Sequence, residues 1–261
     1  MIDFDQFEDL AHPDGFDLNS KPLLIADGKS IDLDDLPRKV RAKGVYIARL
    51  RAEDLPQVCE RLSTTALYLH RVRTTDFAAL ESISRLRALE VYGNPKDADF
   101  TTLPNLQLLK LFNNQRQLDL QFLVDQTELR FLSISGGFSG LTKVDSLQPI
   151  SSLPKLTELK LMAIRVTAKS QLRPLATCRR LKKLTLSNTF ETAEYAYLSV
   201  HLPKVECDMF APYVAIEFDT DDDRDVMVVG RGKPFLNSRT DAAKLLKYED
   251  GFKELQEASR R

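Results

Sequence analysis

The sequence lacks several features that mark common protein classes. In 261 residues it has no tryptophan, three histidines, three cysteines and 10 glycines. The cysteines Cys59, Cys178 and Cys207 are scattered and odd in number, which argues against a disulfide framework and favours a reducing compartment. No run of about 18 apolar residues is present, so no membrane-spanning helix is predicted. The first ten residues are acidic and do not resemble a secretory signal, and a cytoplasmic location is therefore expected.

The charges are nearly balanced, with a formal net charge of -1. This balance excludes a globally basic nucleic-acid binder and an acidic disordered tail protein. Basic clusters at residues 38–43 and 179–183 could contact phosphates, but acidic residues stand close to them in the sequence. Nucleic-acid binding is accordingly not expected.

Leucine is the residue in excess, and its excess is local. The chain contains 41 leucines, of which 31 lie between Leu50 and Leu202. The two ends of the chain together hold only 10. An excess confined to the middle of a chain indicates an internal repeat.

Aligned segments share the pattern L-x-x-L-x-L, in which the fourth position gives a common register. The steps between successive fourth positions are 22, 22, 20, 23, 27 and 25. Residues 45–47 form a weak first copy, and residues 205–210 a weak last copy. The fourth positions are Val45, Leu67, Leu89, Leu109, Leu132, Leu159 and Leu184.

The other half of each repeat has apolar residues at every third position. One example is the series Leu172, Leu175, Cys178 and Leu181, in which the cysteine replaces a core leucine. A spacing of three favours a 3₁₀ or short helical return. Aspartates at 76, 99 and 119 precede the first apolar position, where a carboxylate can cap a turn.

These two half-patterns resemble the short leucine-rich repeats of the SDS22-like class and of small bacterial leucine-rich repeat proteins. The resemblance covers residues 40–211. It implies an α/β leucine-rich repeat solenoid, with a parallel β-sheet on the concave face, a 3₁₀ or short helical convex side, and terminal caps.

The repeat pattern is lost at both ends of the chain. Residues 1–39 contain turn signals around the apolar run at 23–25, and short strands or irregular structure are predicted there as an N-terminal cap. In residues 212–261, two alternating segments around acidic residues 219–224 predict a β-hairpin. An amphipathic helix carrying Leu245, Tyr248, Phe252 and Leu255 on one face should follow and complete a C-terminal cap.

Residues between the strand leucines should point outward from the concave sheet. The first five repeats place aromatic and apolar side chains at these positions, whereas the later repeats are more polar. An exposed aromatic cluster on a rigid sheet is typical of a protein-binding surface. The predicted partner-binding residues are Tyr46, Tyr68, His70, Tyr92, Leu108, Lys110, Phe112, Phe131, Lys160 and Met162. A terminal segment covering this face, or self-association through it, is the alternative interpretation.

The sequence therefore predicts a non-enzymatic module that binds a protein through the concave face, with no catalytic residue, metal or cofactor. A narrower alternative is an inhibitor or immunity-type protein that neutralises an enzyme or toxin. A third possibility is a small-ligand, phosphate-binding or enzymatic role of the C-terminal segment. It rests on the glycines of residues 230–233, which lack the spacing of a phosphate-binding loop.

Overall fold

The computed structural model describes residues 23–25, 40–41, 44–72, 77–93, 100, 103, 105–113, 116–137, 140–217 and 223–260. The first strands are β1 (Leu23–Ile25), β2 (Val40–Arg41), β3 (Gly44–Ala48), β4 (Leu62–Ser63), β5 (Ala66–His70), β6 (Ala88–Gly93), β7 (Leu108–Asn113) and β8 (Gln117–Leu118). The later strands are β9 (Phe131–Gly136), β10 (Thr142–Val144), β11 (Glu158–Met162), β12 (Ile164–Val166), β13 (Lys183–Leu186), β14 (Tyr213–Ala215), β15 (Val226–Val228) and β16 (Phe235–Leu236). The helices are α1 (Leu55–Arg61), α2 (Gln148–Ser151), α3 (Thr192–His201) and α4 (Ala242–Arg260).

The main sheet has eight strands in the order β1-β3-β5-β6-β7-β9-β11-β13, and every neighbouring pair is parallel. The predicted fourth positions pair directly with one another, from Val45 with Leu67 through to Leu159 with Leu184. The sequence register is thus the register of the sheet. The predicted fold is confirmed: the chain is a leucine-rich repeat solenoid.

The sheet extends into the region predicted as an N-terminal cap. Leu23 pairs with Val45 in parallel, and the step between these two residues equals the step from Val45 to Leu67. Strand β1 therefore continues the repeat spacing. The turn signals at residues 12–15 and 26–28 lie outside the described residues, and the boundary of this cap stays a prediction.

The return segments are short helices, as the three-residue spacing predicts. Besides α1 and α2, 3₁₀ turns occupy Ala52–Asp54, Ala78–Ser82, Gln121–Leu123, Arg173–Thr177 and Asp208–Phe210. The apolar residues at every third position bond to one another: the amide of Leu80 donates to the Phe77 carbonyl, and that of Ile83 to Leu80. Asp119 caps its turn by accepting the Gln121 amide at 2.9 Å, whereas Asp76 and Asp99 lie outside the described residues.

One continuous core of leucines, isoleucines and valines runs through the repeats between the main sheet and the returns. Cys178 is buried in it as predicted, and burial raises the pKa of its thiol to about 11. Gln126, which the sequence analysis did not single out, occupies a leucine-type position and is fully buried. Beside the main sheet, β8, β10 and β12 form a small parallel sheet of their own.

After the last repeat strand the chain leaves the repeat pattern with helix α3, which the sequence did not predict. The weak last copy is present only as a single bridge, in which Glu206 extends the sheet beside Lys183. Strands β14 and β15 form the predicted antiparallel hairpin, and β16 adds an unpredicted third strand. Helix α4 is the predicted amphipathic helix and buries Leu245 and Phe252.

Candidate protein-binding face

The three outward columns of the concave face are aligned as the sequence predicts. In the central column, pairing runs from Tyr46 to Tyr68, Glu90, Lys110, Ser133, Lys160 and Thr185. The column towards the strand ends contains His70, Tyr92, Phe112, Ser135 and Met162, and the column towards the strand starts contains Ala66, Ala88, Leu108, Phe131 and Glu158. All ten predicted partner-binding residues therefore lie on this one face.

The aromatic side chains of the first repeats form a connected row of rings. Tyr46 stacks on Tyr68 with ring centroids 4.6 Å apart. The Tyr46 hydroxyl lies 2.7 Å from His70 Nδ1, which links strands β3 and β5. The His70 ring packs edge-on against Tyr92 at 4.7 Å, and Tyr92 lies 5.8 Å from Phe112. Rings that pack against one another across four strands keep their orientation, so this row of rings is a rigid feature of the sheet.

The prediction that the aromatic and apolar residues of this face are exposed is wrong for Tyr46, Tyr68 and Leu108. Tyr46 and Tyr68 are only 7% and 5% exposed, and Leu108 is fully buried. Together with Ala66 and Ala88 they form a second apolar cluster, separate from the core between sheet and returns. An outward position on a strand does not ensure exposure, because long side chains in adjacent strands pack over one another.

The apolar and aromatic residues of the face that stay partly exposed lie in two of its columns. Four of them lie in the column towards the strand ends, and Phe131 lies in the column towards the strand starts, where it packs against the cluster. They form what we call the contact strip: His70, Tyr92, Phe112, Phe131 and Met162. These are the apolar and aromatic groups of the predicted set that a partner can touch.

The charged groups are arranged differently from the predicted division into an apolar half and a charged half. Glu90 and Lys110 form an ion pair of 3.6 Å within the aromatic half, and both side chains are buried. The Lys110 ammonium also lies 5.8 Å from the centre of the Phe131 ring. Lys110 is therefore engaged inside the face rather than displayed on it, which corrects its predicted role as an exposed contact. Lys160 is partly exposed, as a contact residue should be.

The surroundings of His70, Tyr46 and Tyr68 disfavour the charged form of each of these side chains. Burial, together with the positive charges of Arg71 and Arg49, lowers the pKa of His70. Burial likewise raises the pKa of Tyr46 and of Tyr68. The histidine is therefore neutral at neutral pH and acts as one more aromatic member of the strip.

The two arginines follow the first two long strands of the sheet, and the sequence analysis did not single them out. Arg49 and Arg71 both have a left-handed backbone, with φ of 54° and 55°. Their amides donate to the carbonyls of His70 and Tyr92 in the next repeat. Residue type alone gave no signal for this conformation, because left-handed positions are usually occupied by glycine or asparagine.

At the alternative phosphate site, residues 230–233, most backbone amides are already hydrogen-bonded within the protein. The Gly230 amide donates to Asn188 Oδ1, the Arg231 amide to the Phe190 carbonyl, and the Lys233 amide to the Gly230 carbonyl. Three of the four amides that could cradle a phosphate are thus already bonded. Within the described ranges, no group of three or more histidine, cysteine or acidic side chains is placed to hold a metal ion.

Comparison with known proteins finds similar chains among solved structures. No family model and no curated protein matches the chain. Among solved structures, internalin C2 of Listeria monocytogenes matches with 23% identity, 55% coverage of this chain and a TM-score of 0.38. Internalin F of the same organism matches with 18% identity, 62% coverage and a TM-score of 0.40. A leucine-rich repeat protein of Leptospira interrogans matches with 14% identity, 66% coverage and a TM-score of 0.31.

The matches span 63% of internalin C2, 46% of internalin F and 66% of the Leptospira protein. Separately, none of the helices in the described part of the chain is long and apolar enough to cross a membrane.

Proposed function

We propose that this chain is a non-enzymatic interaction module that binds a protein partner through the contact strip. The observation that carries the proposal is the contact strip itself, a set of partly exposed aromatic and apolar groups on a parallel sheet. Three of them contact one another in a row: His70, Tyr92 and Phe112. Rigid aromatic anchors lose little conformational freedom on binding, which is why they concentrate binding energy in protein interfaces.

The buried Tyr46, Tyr68 and Leu108 have a supporting role in this proposal. They pack beneath and beside Tyr92 and Phe131, and so hold the exposed rings in place. A partner thus meets the strip as a preformed surface. Three free cysteines in the chain are compatible with the cytoplasmic location that we include in the proposal.

The experiment is affinity capture from a native lysate with the full chain, followed by mass spectrometry. The double variant Tyr92→Ala with Phe112→Ala should lose the partners that the wild-type chain captures. The matched control is Val124→Ala with Leu141→Ala, which also removes two exposed apolar side chains but from outside the strip. Equal melting temperatures must first show that both variants are folded.

Capture of the same proteins by the wild type and by the strip variant would contradict the proposal. Loss of the same proteins in the control variant would contradict it as well, because binding would then depend on apolar surface outside the strip.

A further inference from the structure

Arg49 and Arg71 stand side by side at one corner of the concave face. Their preceding residues, Ala48 and His70, are paired in the parallel register of β3 and β5. The two arginines therefore end adjacent strands, about 4.8 Å apart in the hydrogen-bonding direction. Both residues are exposed. We call this pair, together with His70 and Tyr92, the arginine corner.

The backbone at these two positions is unfavourable for any residue with a side chain. With φ of 54° and 55°, glycine would fit without strain, whereas arginine adopts this conformation at a cost. A strained backbone kept at two neighbouring positions is typical of residues that serve a purpose other than stability.

The charge of the corner reaches the contact strip. Both arginines lower the pKa of His70, and both act against the upward shift in the pKa of Tyr46. The groups around His70 are the rings of Tyr46, Tyr68 and Tyr92. Glu90, the nearby carboxylate of the face, is paired with Lys110. Among the described residues, Arg71 makes no ion pair with a carboxylate, and the residue is exposed.

We propose that Arg71, at the arginine corner, binds a carboxylate side chain of the protein partner, while an aromatic or aliphatic neighbour of that residue packs on Tyr92 and Phe112. This inference rests on the proposed function and narrows the partner to an acidic segment with an adjacent apolar residue. A guanidinium matches a carboxylate with two parallel hydrogen bonds, and that geometry selects for position as well as charge. A nucleic acid would need a longer track of basic groups than this corner provides.

The test uses short synthetic peptides and the full chain, with the ring signals of His70 followed by NMR. The probes are the blocked tripeptides Glu-Phe-Glu, Gln-Phe-Gln and Lys-Phe-Lys. Glu-Phe-Glu should shift the His70 signals saturably, and its affinity should fall several-fold when the salt concentration is raised from about 20 to about 200 mM. The other two peptides should bind at least about fivefold more weakly than Glu-Phe-Glu, since they lack the carboxylates.

The decisive variant is Arg71→Gly, which removes one charge and also relieves the left-handed strain. It should remain at least as stable as the wild type and bind Glu-Phe-Glu several-fold more weakly. The matched control is Ala163→Gly, because Ala163 follows β11 with φ of 49° and carries no charge. This control relieves similar strain and should leave peptide binding unchanged.

Equal binding of Glu-Phe-Glu to the wild type and to Arg71→Gly would overturn the inference, as would equal binding of Gln-Phe-Gln. Tighter binding of a single-stranded RNA of similar length would overturn it in favour of a nucleic acid, and peptide-sensitive dimerisation would overturn it in favour of a second copy of the chain. In any of these cases, the proposed function stands without the carboxylate site if the variant with Tyr92→Ala and Phe112→Ala fails to capture the partners that the wild-type chain captures.

Discussion

Asn188 binds the backbone of Gly230 and thereby joins the last repeat to the C-terminal segment. Its Oδ1 accepts the Gly230 amide at 2.6 Å, and its Nδ2 donates to the Val228 carbonyl at 2.9 Å. Thr192, at the start of α3, adds a hydrogen bond to the Val229 carbonyl at 2.9 Å. One side-chain amide thus satisfies both a donor and an acceptor of a turn that is distant in the sequence, in the way that end caps complete a solenoid.

Replacing Asn188 with alanine should lower the free energy of unfolding by about 1–3 kcal/mol, because a backbone donor and an acceptor lose their partners. Urea unfolding followed by circular dichroism measures the change. The control is Asn105→Ala, an exposed asparagine in a turn between repeats, which should change stability little. An equal loss in both variants would show that the contact between Asn188 and Gly230 does not stabilise the fold.

Two glycines of the same turn give a second, internally matched prediction. Gly230 has φ of 135°, and a Cβ built on it would lie 2.1 Å from Thr192 Oγ1. Gly232 has φ of 70°, and a Cβ there would meet no atom of the described part of the chain within 4 Å. Gly232→Ala should therefore cost about 1–2 kcal/mol for the left-handed backbone alone. Gly230→Ala should cost roughly 1–3 kcal/mol more, since the turn must also move away from Thr192.

Thermal denaturation of the two variants checks this order. The lower melting temperature should belong to Gly230→Ala. If Gly232→Ala were equally damaging, backbone conformation alone would account for both losses and the close approach to Thr192 would be irrelevant.

The main sheet could be predicted from the sequence because one residue class repeats in one register. A leucine at the fourth position must face the core in every repeat, so the pairing of Leu89 with Leu109 follows from the alignment. Helix α3 could not be predicted in this way. It replaces a return segment, and its four buried residues do not recur at every third position: Glu194, Tyr195, Ala196 and Leu198.

The candidate site was predicted in its placement but not in its exposure. Alternation along each strand assigns Tyr68 and Lys110 to the concave face, and both lie there. Whether such a side chain is accessible depends on the size and angle of its neighbours, which alternation does not encode. The left-handed backbone of Arg71 is likewise set by the turn into the next repeat, and its residue type argues against it.

Gln126 interrupts the pattern of apolar residues at every third position in its return segment. It lies between Leu123 and Leu129 in the three-residue ladder, where the other repeats have apolar residues. Its Nε2 donates to the Phe100 carbonyl at 2.7 Å, while its buried Oε1 has no hydrogen-bond partner among the residues that the structure describes. A buried acceptor without a partner is costly.

Gln126→Leu should therefore raise the free energy of unfolding by about 1 kcal/mol, because an unpaired acceptor is replaced by an apolar group of similar size. The Phe100 carbonyl keeps the amide of Leu103 as a donor, so no new unpaired group arises. Gln126→Glu is the paired variant and should destabilise strongly, since it buries a carboxylate. Urea unfolding measures both, and a loss of stability in Gln126→Leu would show that the amide is needed where it is.

The pKa of His70 makes a prediction about pH. Burial and the two arginines lower it from the ordinary value of 6.5, so the folded chain binds this proton less readily than the unfolded chain does. The contribution of His70 to the free energy of unfolding is complete above pH 6.5, where the side chain is neutral in both the folded and the unfolded chain. It is lost as the pH falls below 6.5 and through the pKa of His70 in the folded chain. The wild type should therefore lose more stability than His70→Gln when unfolding is compared at neutral and at mildly acidic pH. His12 and His201 are present in both proteins and cancel in the comparison. NMR titration of the His70 ring gives the midpoint directly, and a midpoint at or above 6.5 would contradict the proposed effect of burial and of Arg71.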